Sequence, residues 1–174
     1  MKQVKKQLWM LGVSAVALCL SAPSVYAGQA ASNITVSAAV LATCSISTAN
    51  LNFGNYDPVT ANATTHLDVN GSVTVACTKG SQTFIDLSPG ANAANASGTT
   101  RAMATAGPNY LSYELYTDSP GGTVWGVGNP GNAFVPPGAV NKNARVFTIF
   151  GRIPAGQDSS VGNYTDTITA TVNF

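Results

Sequence analysis

The chain has 174 residues, a formal net charge of +1 and only 9% charged residues, against about 25% in an average soluble protein. With no basic run outside the N-terminus, this composition argues against a nucleic-acid partner. A polar but nearly uncharged surface also gives little electrostatic resistance to contact between like molecules.

The first feature is an export signal over residues 1–27. Lys2, Lys5 and Lys6 precede an apolar run over residues 8–20, Pro23 ends it, and Val25 and Ala27 are small residues at the minus-three and minus-one positions. Signal peptidase accepts that pattern, so cleavage is expected between Ala27 and Gly28. The apolar run falls short of the roughly 20 residues that span a bilayer. Cys19 lies inside the run rather than after it, which argues against a lipid anchor.

Residues 28–174, the mature region, have single-domain size. Five bases (Lys79, Arg101, Lys142, Arg145, Arg152) stand against seven acids (Asp57, Asp68, Asp86, Glu114, Asp118, Asp158, Asp166). Cys44 and Cys77 remain after cleavage, an even pair in an oxidising compartment, and read as a structural disulfide.

Taken in chain order, the mature segment starts with Ile34, Val36, Ala38 and Val40 alternating with polar residues, the period of a strand. Short β-type runs around Cys44 and Ile46 and around Leu51 and Phe53 end in a turn at Tyr56, Asp57 and Pro58. Over 67–77, Leu67, Val69, Val73, Val75 and Cys77 share one face, which turns the cysteine inward. A strand over 83–88 stops at Pro89-Gly90. Residues 90–109 read as a surface excursion around a short strand at 101–104, and residues 110–116 alternate as a strand.

Gly121-Gly122 turns the chain toward Val124 and Trp125. Residues 126–140 hold Pro130, Pro136 and Pro137 and form no central strand. Residues 144–151 carry large apolar groups on both faces, which predicts burial on both sides. The last stretch is the most regular: Tyr164, Asp166, Ile168, Ala170, Val172 and Phe174 alternate with Thr and Asn. With no amphipathic helix in the mature region, the pattern predicts an all-β sandwich.

Groups for catalysis are sparse. His66 stands alone, the acids are scattered, and no GxSxG, HExxH or P-loop spacing occurs. The expectation is no enzyme, no metal, no cofactor and no small-molecule substrate. Trp125 with Tyr110, Tyr113 and Tyr116 reads as core rather than as a sugar platform. The Asn-x-Ser/Thr matches at Asn33, Asn62, Asn95 and Asn163 are expected by chance in so Asn- and Thr-rich a chain.

The ordered set Cys44, Phe53-Gly54-Asn55-Tyr56, Val73-Thr74-Val75-Ala76-Cys77, Ile149-Phe150-Gly151, and Gly162-Asn163-Tyr164-Thr165-Asp166 through Val172-Asn173-Phe174 resembles the spore coat U domain family. Within it the chain is similar to major pilin subunits of archaic, Csu-type chaperone-usher pili. The resemblance implies an incomplete immunoglobulin-like sandwich lacking one strand, with a signal at 1–27, a donor strand at 28–42 and the pilin domain at 43–174. Ile34, Val36, Ala38 and Val40 would enter a neighbour's groove, and Ile168, Ala170, Val172 and Phe174 would line the acceptor groove and meet the chaperone. The implied partners are a periplasmic chaperone, an outer-membrane usher and identical or related subunits. The implied setting is a surface pilus in adhesion and biofilm formation. Alternatives are a secreted or tip-located binding module, with residues 90–140 as its recognition surface, and a spore coat component.

Overall fold

The computed structural model describes residues 27–174; the expected export signal, up to its last residue, lies outside them. The chain divides into two units, one ending at Ala38 and one spanning Ala39–Phe174. In the first, the described residues are exposed and carry no regular secondary structure. The strand expected over 34–42 is not formed: alternation supplies a face, but a strand also needs a ladder partner for its backbone.

The second unit holds seven strands: β1 (Cys44–Ala49), β2 (Leu67–Cys77), β3 (Phe84–Leu87), β4 (Arg101–Ala104), β5 (Tyr110–Tyr116), β6 (Arg145–Ile153) and β7 (Ala170–Asn173). One sheet has the order β1-β2-β6-β5-β4 and the other pairs β3 with β7. All of these pairings are antiparallel. The all-β expectation therefore holds.

Odd-numbered residues of β2 and β6 face inward, as the period of two dictates. Val73 and Val75 of β2 and Ile149 and Ile153 of β6 are buried. β6 departs from its expected burial on both sides: Val146 is 66% exposed, because the second sheet covers only the inner face. On the outer face Arg152 makes a bidentate pair with Asp68, at 2.7 Å for both bonds. That pairing holds the Asp68 carboxyl below its ordinary range.

One end of the sandwich is closed. Cys44 and Cys77 are register partners and form the disulfide. Nearby, fully buried Trp125 donates its indole N–H to the Ile85 carbonyl at 2.8 Å. Phe134, from the proline-rich segment, pairs with the edge of β3 at Ile85 and stacks 5.0 Å from Trp125 and 5.2 Å from Phe147. Trp125 is thus core, and no platform with the tyrosines is assembled.

The C-terminal stretch is not one strand. Thr165 exchanges both backbone bonds with Ala104 of β4, whereas residues 170–173 pair with β3. The chain crosses from the edge of one sheet to the edge of the other, so a continuous ladder on a single neighbour is impossible. The alternation survives as burial: Tyr164, Asp166, Ile168, Ala170 and Val172 are half-buried and the residues between them, through Thr171, are exposed.

Candidate functional site

Away from the disulfide the two sheets part, and a groove of about 1160 Å³ opens between them. Its floor includes Met103, Leu111, Tyr113, Leu115, Ile149 and Ile153. One rim is the segment over 48–56 and the other the segment over 159–166, continued by Ile168 and Ala170. Between the end of β1 and the turn at Tyr56 the first rim carries no regular strand, nor does the second before β7, and neither has a ladder neighbour on its groove side.

The first rim is seated by glycine. A Cβ on Gly151 would lie 3.0 Å from Leu51 Cδ1 and 3.0 Å from Phe53 Cζ, and one on Gly71 would lie 3.2 Å from Leu51 Cδ1. The two bare positions on the inner face of β2 and β6 make room for Leu51 and Phe53. Phe53 also meets Tyr113 edge-on, with ring centroids 6.0 Å apart. Gly151→Val is expected to lift this rim and cost about 1–3 kcal/mol, the usual range for overpacking. Urea denaturation of the mature chain checks it, and an unchanged midpoint would contradict the seating.

The second rim is held by Asp166. Its carboxylate accepts hydrogen bonds from Tyr113 Oη at 2.8 Å, the Ala91 N–H at 3.0 Å and Asn92 Nδ2 at 3.4 Å. Gly90, at φ +83°, lets the loop wrap this carboxylate, since a Cβ there would collide with Asp166 Oδ2. The acid on an otherwise apolar face is thus a strut tying rim to floor. Burial, reinforced by the Asp166 hydrogen bond and charge, pushes the Tyr113 hydroxyl far above its ordinary range.

Along the second rim the Ser88 N–H bonds to the Thr169 carbonyl, at 2.9 Å. Backbone groups alternate sides along an extended chain, so those of Ile168 and Ala170 turn the other way, toward the groove. β7 has β3 as its only strand partner among the described residues. The groove therefore combines apolar side-chain sites with an unpaired backbone edge, the two things an added strand requires.

Of the sequence-predicted site residues, Ile168 and Ala170 line the groove. Val172 lies past it and packs on the closed core, and Phe174 is 59% exposed beyond that. Ile34, Val36 and Val40 are between 84% and 90% exposed, and Ala38, Ala27 and Gly28 are also exposed. His66 accepts the Ala155 N–H at Nδ1, 2.9 Å. No group of three or more metal-ligating side chains occurs among the described residues, and no helix among them is long and apolar enough to cross a membrane. Sequence reasoning missed the floor residues and the seating glycines, which lie on four different strands and carry no local signal.

Fold and groove together define an immunoglobulin-like β-sandwich with one open side. The Spore Coat Protein U domain model matches residues 30–171, and the chain belongs to that family. It is 34% identical over 172 residues to Protein U of Myxococcus xanthus, covering 93% of this chain and 94% of that protein. Among solved structures it is similar to a chain of the CsuC-CsuE chaperone-tip adhesion subunit pre-assembly complex from archaic chaperone-usher Csu pili of Acinetobacter baumannii. The TM-score is 0.55 at 24% identity over 78% of this chain. The match spans 40% of the length of that chain.

Proposed function

We propose that the protein is a structural subunit of a chaperone-usher surface pilus that polymerises by donor-strand complementation. Residues 28–42 of one copy fill the groove of the next. The observation carrying this reading is the apolar groove beside the unpaired edge of Ile168 and Ala170, in a chain whose own N-terminal segment exposes Ile34, Val36 and Val40. Burying an Ile or Val side chain fully is worth about 1.5–3 kcal/mol, and the backbone ladder adds to it.

Before assembly the same edge would be covered by a periplasmic chaperone, with an outer-membrane usher as the site of exchange. The likeness to a chain of a chaperone-subunit pre-assembly complex supports the chaperone step. Delivery to the cell surface, and a role in adhesion and biofilm formation, complete the proposal.

The test is co-expression of the mature chain with its chaperone, with and without residues 29–42. The deletion is expected to leave chaperone binding intact and abolish polymers. Polymers formed by the deleted chain, or a stable wild-type monomer in the absence of chaperone, would overturn the reading.

A further inference from the structure

The charges outside ion pairs are unevenly placed, once Asp86, held by the Gly128 N–H and Asn173, Asp118, which caps its own turn, and Asp166 on the groove rim are set aside. Among the described residues Arg101 pairs with Glu114 and Arg152 with Asp68. The remaining bases, Lys79, Lys142 and Arg145, all lie at the disulfide end. Lys79 lies just past Cys77, the Gly80 N–H bonds to the Ala139 carbonyl at 2.7 Å and brings the Lys142 segment alongside, and Arg145 opens β6 opposite Val75. Arg145 is turned into the domain: Nη1 donates to the Pro137 carbonyl, the guanidinium lies 5.5 Å from the centre of the Phe147 ring, and Nε and Nη2 are buried, so the exposed positive charge at this end is that of Lys79 and Lys142.

The opposite end, where β6 finishes at Ile153, carries Asp57 and Asp158. The Asp57 turn is fastened there by the Tyr56 hydroxyl on the Pro154 carbonyl, 3.0 Å, and by the Gly156 N–H on the Asn62 carbonyl, 2.8 Å. Asp158 is exposed on the segment leaving β6. Thr60 and Val59 donate to the Asp57 carboxyl and hold it below its ordinary range, so it is charged at neutral pH.

The groove and the N-terminal connection lie at opposite poles. Thr43, where residues 28–42 join the domain, is fixed at the basic end: its carbonyl accepts the Thr78 N–H at 2.9 Å and its own N–H bonds to Thr78 Oγ1 at 3.1 Å. The groove is closed toward that end and opens toward Ile153. A strand laid antiparallel to residues 164–173, as are all the paired strands of this domain, leaves the groove at the acidic pole with its own domain coming immediately after.

Resting on the donor-strand reading above, we propose that successive copies meet end to end, with Lys79 and Lys142 of the donating copy facing Asp57 and Asp158 of the accepting copy. The partner is a second copy of this chain. Insertion in the reverse direction, which the closed end of the groove already opposes, would also set basic pole against basic pole, so the charges reinforce the direction of assembly. Exposed pairs add little to affinity; their effect falls on encounter rate and orientation, and it weakens with salt.

The test monitors polymer growth by light scattering from chaperone-bound subunits at low and high salt. Asp158→Lys, and separately Lys79→Glu with Lys142→Glu, are each expected to slow growth about tenfold at low salt and much less at high salt. The chain carrying all three changes is expected to recover part of the rate lost in Lys79→Glu with Lys142→Glu, because its negative donating end then meets a neutralised accepting end instead of an acidic one. Single-pole variants growing at the wild-type rate, or a combined variant slower than either, would overturn the proposal. Deletion of residues 29–42 runs in parallel. If it abolishes growth while the pole variants are neutral, the end-to-end contact falls and strand donation stands; if it leaves growth intact, both fall.

Discussion

Arg101→Ala is expected to cost about 3–5 kcal/mol, the range for breaking one side of a buried ion pair. Arg101 and Glu114 are 1% and 3% exposed, and every guanidinium hydrogen is in use. Nη1 donates to Glu114 Oε1 and Thr100 Oγ1, Nη2 to the carbonyls of Leu87 and Trp125, and Nε to the Ser88 carbonyl. Removing the side chain leaves the Glu114 carboxylate, which keeps its hydrogen bonds from Thr100 and the Leu115 N–H, without its counter-charge, and takes a donor from three carbonyls in a dry site. It also unfastens the end of β3 from β4 and β5, beside the groove floor.

Arg101→Met combined with Glu114→Gln is expected to recover part of the loss, since no buried charge is left, but not all of it, since the carbonyls stay unpaired. Arg101→Lys cannot replace a fork with a point charge and is expected to behave more like alanine than like wild type. Trp125 is fully buried and the sole tryptophan of residues 28–174, so its fluorescence reports unfolding of this region directly. A loss below about 1 kcal/mol in Arg101→Ala would show that the network is not a stabilising clamp.

Opening the disulfide is expected to cost about 3.5–4 kcal/mol, the chain-entropy value for a bridge between residues 33 apart in sequence. The effect should concentrate on β1. That strand lies at a sheet edge and is mostly exposed, so little apolar burial holds it once the link to Cys77 is gone. Cys44→Ser with Cys77→Ser, and wild-type chain in reductant, are expected to lose the same stability in urea. A double variant within about 1 kcal/mol of wild type would assign the closed end to packing alone. Fraying of β1 would also loosen Thr43, the point at which the N-terminal segment is anchored.

Much of this architecture is legible from the residues. The odd positions of 67–77 place Cys77 inward because a strand's side chains alternate faces, and pairing with Cys44 comes from compartment and count. The short strand at 101–104 and the turn at Pro89-Gly90 are marked by local chemistry. The run over 164–172 keeps the alternating burial its spacing predicts while the segment over 34–42 is exposed throughout, and neither is the continuous strand expected of it. Periodicity reports which side a residue can bury, while a ladder depends on what lies alongside.

The groove shows the same division. Alternation and the family resemblance place Ile168 and Ala170 on it, but the identical spacing runs on to Val172 and Phe174, which the groove does not reach. Only the tertiary structure sets where the sheets close. Asp166 breaks the apolar pattern in the sequence without an explanation; its partners, Tyr113 and the loop at Ala91, are 53 and 75 residues away.

The sequence by itself determined the all-β class, the inward cysteine, the alternating segments at both ends and the family, because these are encoded in local period, count and ordered motif. The tertiary structure decided the seating of Leu51 over Gly71 and Gly151, the buried Arg101–Glu114 clamp, the extent of the groove and the separation of charge between its two ends. Each of these depends on residues that are far apart in the chain and adjacent only once the sheets have paired and twisted.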